Sequence, residues 1–421
     1  MGSESGAKYD VCVIGAGASG MMAAIAAAGA GATTCLLESG DRVGRKILKT
    51  GNGRCNLSHV PIDPGAYHGS GTSRIASFIG RFGTDETFRL FEGLGLMIRE
   101  RDGYAYPYSE QSSAVLDVLR SSVGARGVDV FCRSKAEDVR GRDGDFTVGR
   151  RISARKVIIC TGGSTSPETG SDGSGFKIAS DMGLDVIRPL PALTKLVVSE
   201  KKIASLFGVR AKGEVKGIIS DAAVRDLKTV SDRGEIQFTR DGISGIPVFN
   251  VSGELVRAMD GGRYVRIILD LVPEMSEGEI RDRIISRLYQ PLMQDMDADV
   301  FFTGMVHKKL MIYAFDLAGI RPGQSVASLV EGDVTRYVHA LKNLTFNVTS
   351  YYGFEQAQIT SGGVHFDEVD DDLQCVRAPG VYLAGEILDV DGACGGYNLQ
   401  WAWTSGWLAG RAAAGALGYV A

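Results

Sequence analysis

No two cysteines in the sequence stand in a C-x-x-C spacing or in any other spacing of a cysteine metal site. The seven, Cys12, Cys35, Cys55, Cys132, Cys160, Cys375 and Cys394, are scattered along the chain. That pattern argues against a metal centre and a dithiol relay and fits a reducing compartment. Cys12, Cys35 and Cys160 fall inside apolar strand patterns, where cysteine acts as a small buried hydrophobe. An excess of charge is missing too. The 46 basic and 50 acidic side chains leave a net −4 and a pI near 5.9, so no overall field draws the chain to nucleic acid or an acidic membrane. There is no arginine-rich run. The longest apolar stretch, residues 11–37, lacks a positive flank before it and is interrupted by glycines, so neither a membrane span nor a signal peptide is expected. Gly6 stands where N-myristoylation needs Ser or Thr. A cytoplasmic chain without membrane association is the expectation.

Glycine, by contrast, is abundant: 56 of 421 residues, about twice the usual share. The length suits two or three domains. The glycines matter most in residues 9–38. Val11 to Ile14 read as a short buried strand, and Gly15, Gly17 and Gly20 follow in G-x-G-x-x-G spacing. The first glycine permits a tight turn, the second lets backbone approach a pyrophosphate, and the third lets a helix close on the strand. Ala18 and Ser19 then lie at the helix N-terminus, whose free N–H groups face the anion. Thr33 to Leu37 form a second strand. Glu38 ends it 18 residues past Gly20 (38 − 20), near the ~20 expected for an acid that binds a ribose hydroxyl. Strand, turn, helix, strand and acid together predict a dinucleotide site.

Residues 39–56 form a glycine-punctuated loop from Ser39, with Arg42, Arg45, Lys46, Lys49 and Arg54 against Asp41 alone. Such a loop beside a phosphate turn can neutralise a pyrophosphate or a reduced ring; a solvated charged loop is the plainer reading. Helices are expected near 73–82, 85–92 and 111–122, a strand over 97–106, and a meander leading to a buried return strand at 157–160. Thr161-Gly162-Gly163 ends that strand. Between Leu193 and about Phe354 no second glycine fingerprint appears; short alternating segments give way to helices, which predicts an inserted domain that selects the substrate. The acidic turn 367–372 reads as a solvated hairpin.

In residues 379–403, Val381 to Ala384 form a buried strand, Gly385 lets backbone approach a ligand, and Glu386 is placed to hydrogen-bond a sugar-alcohol chain. Gly395 and Gly396 lead into a helix near Asn398 whose positive end suits the N1/O2 edge of a reduced flavin. All three tryptophans, Trp401, Trp403 and Trp407, fall in this helix, and core packing is the better reading of them than flavin stacking.

These stretches carry a likeness. The N-terminal fingerprint, the loop Gly44-Arg-Lys…Gly51-Asn-Gly-Arg-Cys-Asn56, Thr161-Gly-Gly-Ser…Gly170-Ser-Asp-Gly, and Gly385-Glu-Ile-Leu-Asp-Val-Asp-Gly…Gly395-Gly-Tyr-Asn-Leu-Gln-Trp-Ala-Trp403 resemble the bacterial YhiN/BaiN/RdsA-type, or aminoacetone-oxidase-like, FAD-binding enzymes of the glutathione-reductase-type fold. The match covers nearly the whole chain. It implies an α/β fold: a Rossmann-like FAD-binding domain (1–192 and 355–421) interrupted by an inserted substrate domain (193–354), β-rich over 193–272 and helical over 273–343. It also implies that Glu38 binds the adenosine ribose, the Gly15 to Gly20 turn the pyrophosphate, and Gly385, Glu386 and Gly396, Tyr397, Asn398 and Leu399 the ribityl chain and ring. Thr161 and Gly162 would run along the cofactor. Gly163, Ser39, Arg45, Lys46, Gly51, Gly53, Arg54 and Cys55 complete the expected cofactor-binding set.

The reaction expected is reduction of a conjugated C=C in a small molecule, with NADH or NADPH as transient electron donor. Alternatives are a flavin amine oxidase, and an RNA uridine reductase using a basic face of Lys195, Lys201, Lys202, Arg210, Lys212 and Lys216. Protonating the carbon beside the hydride acceptor needs a donor. Tyr397, His365 and Tyr106 are candidates, with Tyr104 and Tyr108 beside them; a structural histidine and an aromatic wall are the plain alternatives. Cys394 stands where the family is expected to hold threonine. The sequence leaves open whether it or Cys55 is redox active.

Overall fold

The computed structural model describes residues 8–149 and 152–420. Its contacts divide into two compact units, one running to Pro191 and resuming at Phe354, the other Ala192–Gly353. The first unit is built on β1 (Lys8–Ile14), which is buried from Tyr9 onward. A parallel strand covered on both faces needs such an unbroken apolar run. β1 lies between β2 (Thr34–Leu37) and β4 (Ile152–Ile159), and β3 (Asp129–Phe131) flanks β2. The far edge of β4 is shared. Its C-terminal half pairs parallel with β5 (Val381–Leu383), and its N-terminal half pairs antiparallel with Asp145–Val148, one arm of a hairpin with Val139–Arg142. The parallel core is therefore β3-β2-β1-β4-β5, assembled from both ends of the chain.

Two helices cross on one face of this sheet. α1 (Ala18–Gly29) has buried residues all round, and α2 (Tyr397–Gly415) packs on it through small side chains. A Cβ added at Gly406 or Gly410 would fall deep inside contact distance of the carbonyl oxygens of Ser19 and Ala23. The backbones therefore touch, and only glycine permits it. The tryptophans fill further contacts around α2. Trp403 meets Phe91 edge-on at 5.2 Å, Trp407 stacks on Phe82 at 5.2 Å, and Trp401 packs against Phe78 and Phe366. Both fully buried indoles donate their N–H groups, Trp401 to Gly385 O at 3.2 Å and Trp403 to Leu57 O at 3.0 Å. Gln400, also fully buried, accepts from Ser58 Oγ at 2.7 Å and donates to Thr87 Oγ1 at 2.9 Å. The core-packing reading of the tryptophans accounts for these contacts.

The helices Thr72–Arg81, Thr84–Gly93 and Ser112–Ala125 lie within a few residues of their expected bounds. The stretch expected as one strand at 97–106 is a hairpin, Ile98–Arg101 paired with Tyr104–Pro107, because Asp102 and Gly103 both take positive φ and reverse the chain. The acidic turn is clamped to the first of those helices, with Arg74 on Asp371 at 2.7 Å and Arg81 on Asp372 at 3.0 Å.

In the second unit six strands, Leu196–Val198, Arg210–Ser220, Asp226–Phe238, Gly242–Gly245, Tyr264–Asp270 and Leu344–Tyr351, form a closed barrel. Closure leaves no free edge. Alternate residues such as Ile236, Phe238, Ile267, Leu269 and Phe346 fill its core. The helices Glu277–Leu288, Lys308–Ala318 and Glu331–Lys342 follow, the first begun by a reciprocal cap between Ser276 and Glu279. Among the described residues no helix is long and apolar enough to cross a membrane.

The α1–α2 contact has a direct consequence for stability. Gly410→Ala is expected to cost about 1–3 kcal/mol through overpacking, read as a lower thermal midpoint. Gly415→Ala, in the same helix with no atom within 4 Å of the new methyl, is expected to leave the midpoint unchanged or raise it. Equal midpoints for the two variants would contradict the close crossing.

A cleft at the carboxyl ends of the parallel strands

β1, β2, β4 and β5 end along one edge of the sheet, where the loops that follow them diverge. Three main-chain bonds hold that edge: Gly15 N–H to Leu37 O at 2.8 Å, Cys160 N–H to Ile14 O at 2.8 Å, and Ala384 N–H to Ile159 O at 3.1 Å. Gly15 turns with φ +96°, and a Cβ there would stand 2.5 Å from Cys160 O. Gly20 packs beneath it, against the Gly15 carbonyl. Gly17 differs from both: its φ is ordinary and a Cβ would meet nothing within 4 Å. Its backbone faces a cleft enclosing about 1210 Å³, solvent at the mouth included.

One group of lining residues surrounds Glu38, which is buried at the end of β2. Its Oε2 accepts from Ala16 N–H at 3.2 Å and its Oε1 from Gly40 N–H at 2.7 Å, which fixes the carboxylate without saturating it. Ser39, Ser134, Lys135, Gly170 and Ser171 share this part of the wall. A second group gathers round Glu386. Lys46 Nζ bonds Glu386 Oε2 at 2.8 Å and Thr165 Oγ1 at 2.7 Å, and Glu386 Oε1 accepts from Thr360 N–H at 2.7 Å. Gln358, Asn398, Leu399 and Trp401 line the cleft beside them. Thr161 also lines the wall, with its Oγ1 buried against Gly175 and without a hydrogen-bond partner.

Most of the expected cofactor set lines this cleft: Gly15, Gly17, Ala18 and Ser19 on the turn, Glu38 and Ser39, Arg45 and Lys46, Thr161 and Gly162, and Glu386, Asn398 and Leu399. The rest do not line it. Gly163 packs against Thr360, Gly385 against Ser19 Oγ, and Gly396 against the Ser58 backbone. Gly51 and Gly53 take positive φ inside the basic loop, where Cys55 is fully buried, its thiol pushed up to about 12 by that burial. A thiol in that state is inert at neutral pH. The loop does not pool its charge either. Lys49 pairs with Glu168 and Arg54 approaches Glu110 at 3.8 Å, which leaves Arg45 and Lys46 to face the cleft.

The three proton-donor candidates do not line it. His365 Nδ1 accepts Asp367 N–H at 3.2 Å and so caps the short turn Phe366–Glu368, a structural post. The Tyr397 ring is buried and stacked on His59 at 5.0 Å, and burial raises its pKa. Tyr106 is half-buried on the second strand of its hairpin, its pKa also raised by burial. Among the described residues no group of three His, Cys, Asp or Glu side chains is placed to hold a metal ion. Sequence reasoning missed Ser134 to Ala136. They carry no glycine signal and reach the cleft because Ser134 N–H bonds Glu38 O at 2.8 Å. It also passed over Thr169 to Ser171 and Gln358, although the glycines of 164–175 marked the first of these.

A family model described as "HI0933-like protein Rossmann domain" matches residues 9–412. A 3-dehydro-bile acid delta(4,6)-reductase of Clostridium scindens is 37% identical over 408 residues, covering 96% of this chain and 98% of the relative. A ribosomal RNA dihydrouridine synthase of Escherichia coli is 27% identical, covering 95% and 96%. Among solved structures, a 3-ketosteroid-delta4-(5alpha)-dehydrogenase from Rhodococcus jostii RHA1 shares the fold, with a TM-score of 0.50 at 14% identity and 98% coverage of each chain. On the extent of the family match and of the first relative, this chain belongs to the HI0933-like Rossmann-domain family and is an FAD-dependent oxidoreductase.

Proposed function

We propose that the protein reduces a conjugated C=C bond in an enone-like small molecule, drawing electrons from NADH or NADPH, with FAD held in the cleft described above. The substrate class rests on one observation, the 37% identity along nearly the whole chain to a reductase named for a bile acid dienone. The cofactor site rests on the chain's own residues. The open face of Gly17 is what a dinucleotide would fill.

In this reading the N–H groups at the start of α1 face the pyrophosphate. Glu38, already oriented by Ala16 and Gly40, has lone pairs left for the adenosine ribose. Asn398 and Leu399, in the first turn of α2, lie against the ring. When bound, FAD passes a hydride equivalent from the nicotinamide to an electron-poor carbon, and the positive end of α2 favours the charge carried in between. The Lys46–Glu386 pair places a cation beside the polyol chain while Thr360 N–H holds the carboxylate in place. Leu399 and the buried Trp401 give this part of the wall an apolar surface that keeps water from the reacting edge.

A second reading, reduction of a uridine in RNA, is favoured by the Escherichia coli relative. The cations expected to form its basic face are mostly engaged singly. Lys195 bonds Asp241 at 3.0 Å, Arg210 bonds Glu235 at 2.9 Å, Lys216 lies 3.4 Å from Glu214, and Lys202 pairs with Asp316. The small-molecule reading is preferred for that reason.

Anaerobic NADH or NADPH is expected to bleach the bound flavin, and a conjugated enone to restore its colour while the saturated ketone does not. No recovery across a panel of steroid-sized enones would contradict the reading; recovery with uridine-containing RNA alone would select the second, and peroxide release with an amine would select an oxidase. Gly17→Val is expected to fold, since the new side chain meets no protein atom within 4 Å of its Cβ, yet to retain flavin about tenfold less well. Full flavin content in this variant would remove the cofactor from the cleft.

A further inference from the structure

The helix Lys308–Ala318 borders a groove that the reductase reading leaves unused. Lys309, Ile312, Tyr313 and Asp316 recur along it at i, i+3, i+4 and i+7, so they share one face. Gly319, in the left-handed region at φ +76°, ends the helix and turns the chain, and Ile320, Arg321 and Pro322 then line the same groove. Lys202 and Ser205 reach it from the short turn Lys201–Leu206. The groove encloses about 840 Å³, solvent at its mouth included. Every residue that lines it belongs to the second unit, and none lines the cleft assigned to FAD.

Its charges do not cancel. Lys202 pairs with Asp316, the carboxylate of the lining, and Lys308 lies 3.8 Å from Asp299. Among the described residues two cations of the lining remain without a counter-charge. Lys309 donates to a neutral main-chain group, Phe207 O, at 3.2 Å, and the Arg321 guanidinium has no partner. A free guanidinium is a planar fork of donors suited to an oxyanion. Tyr313 stands between the two cations along the helix and adds a further donor. The residue is only 6% exposed, with its ring packed on Phe346 of the barrel at 6.1 Å, yet among the described residues its hydroxyl has no hydrogen-bond partner. A polar group placed so deeply normally has one. Burial keeps the phenol protonated and therefore a donor.

The half-buried Ile312 and the buried Ile320 give the same groove an apolar wall. Tyr313, the aromatic residue of the lining, is too deep to offer a ring face to a nucleic-acid base. We propose that this groove binds a small amphipathic carboxylate, whose acid group is attracted by Lys309 and Arg321 and bonded by the Tyr313 hydroxyl, with its hydrocarbon body against Ile312 and Ile320. The site is separate from the flavin chemistry and does not depend on which substrate the flavin reduces.

Decanoate, titrated by calorimetry into the purified protein with its flavin bound, tests the site. Decanol, which keeps the chain and lacks the charge, and acetate, which keeps the charge and lacks the chain, are each expected to bind at least about tenfold more weakly. Arg321→Gln and Lys309→Gln are each expected to weaken decanoate binding by about tenfold, the scale of one charge-assisted contact. Tyr313→Phe keeps the ring and is expected to weaken it roughly three- to tenfold, as for the loss of a neutral donor. Lys201→Gln removes a charge beside the groove but outside its lining, and is expected to change the affinity by no more than about twofold. Flavin absorbance and the thermal midpoint report that each variant is folded. No binding of decanoate, equal affinity for decanol, or binding that survives the Arg321, Lys309 and Tyr313 substitutions overturns the assignment. A short RNA that binds in place of decanoate, and is lost in Arg321→Gln, overturns it in favour of a nucleic-acid site.

Discussion

The edge where four parallel strands end depends on backbone meeting backbone at the Gly15 turn. The chain leaving β1 must pass so close to the carbonyl of Cys160 that no side chain fits, while its own N–H reaches across to Leu37. A Cβ there would push β1 and β4 apart, because the atoms in the way are main-chain atoms with no rotamer to adopt. With the turn in place, α1 starts against the sheet, Glu38 arrives beside Ala16, and Gly17 is left facing open space. The cleft is the space that remains when these constraints are met together.

The same constraint returns in the contact between α1 and α2. In the proposed reading the N-terminal βαβ unit would hold the pyrophosphate and α2 the ring, yet about 370 residues separate them. Their relative position is set where Gly406 and Gly410 lie against the carbonyls of Ser19 and Ala23. Beside that crossing, Trp403 and Trp407 lock α2 to Phe91 and Phe82. A rigid helix pair of this kind holds two halves of a cofactor site in register better than loops could.

Local signals carried much of this into the sequence. The spacing of Gly15, Gly17 and Gly20, the distance to Glu38, and the Gly395-Gly396 entry to a tryptophan-bearing helix each act over a few residues, and each has a direct counterpart in the structure. What depended on long-range pairing was not legible. Closure of the six-stranded barrel needs Leu196 beside Tyr351, which no local pattern encodes. Ser134 to Ala136 reach the cleft only because β3 pairs with β2. The partners of Glu386, which the sequence places to hydrogen-bond a sugar-alcohol chain, were not legible either: its oxygens meet Lys46 and Thr360, 340 and 26 residues away. The structural alternative weighed for His365 is the one that matches its position, where it caps a turn.

The central claim is that the turn after β1 and the first turn of α2 hold opposite parts of one FAD molecule. An experimental structure of the purified protein with its bound flavin tests it most directly. The account requires the adenosine ribose within hydrogen-bond distance of the Glu38 carboxylate, the pyrophosphate over Gly17, and the isoalloxazine ring beside Asn398 and Gln358. A flavin bound in the reverse sense, or outside this cleft altogether, would contradict it.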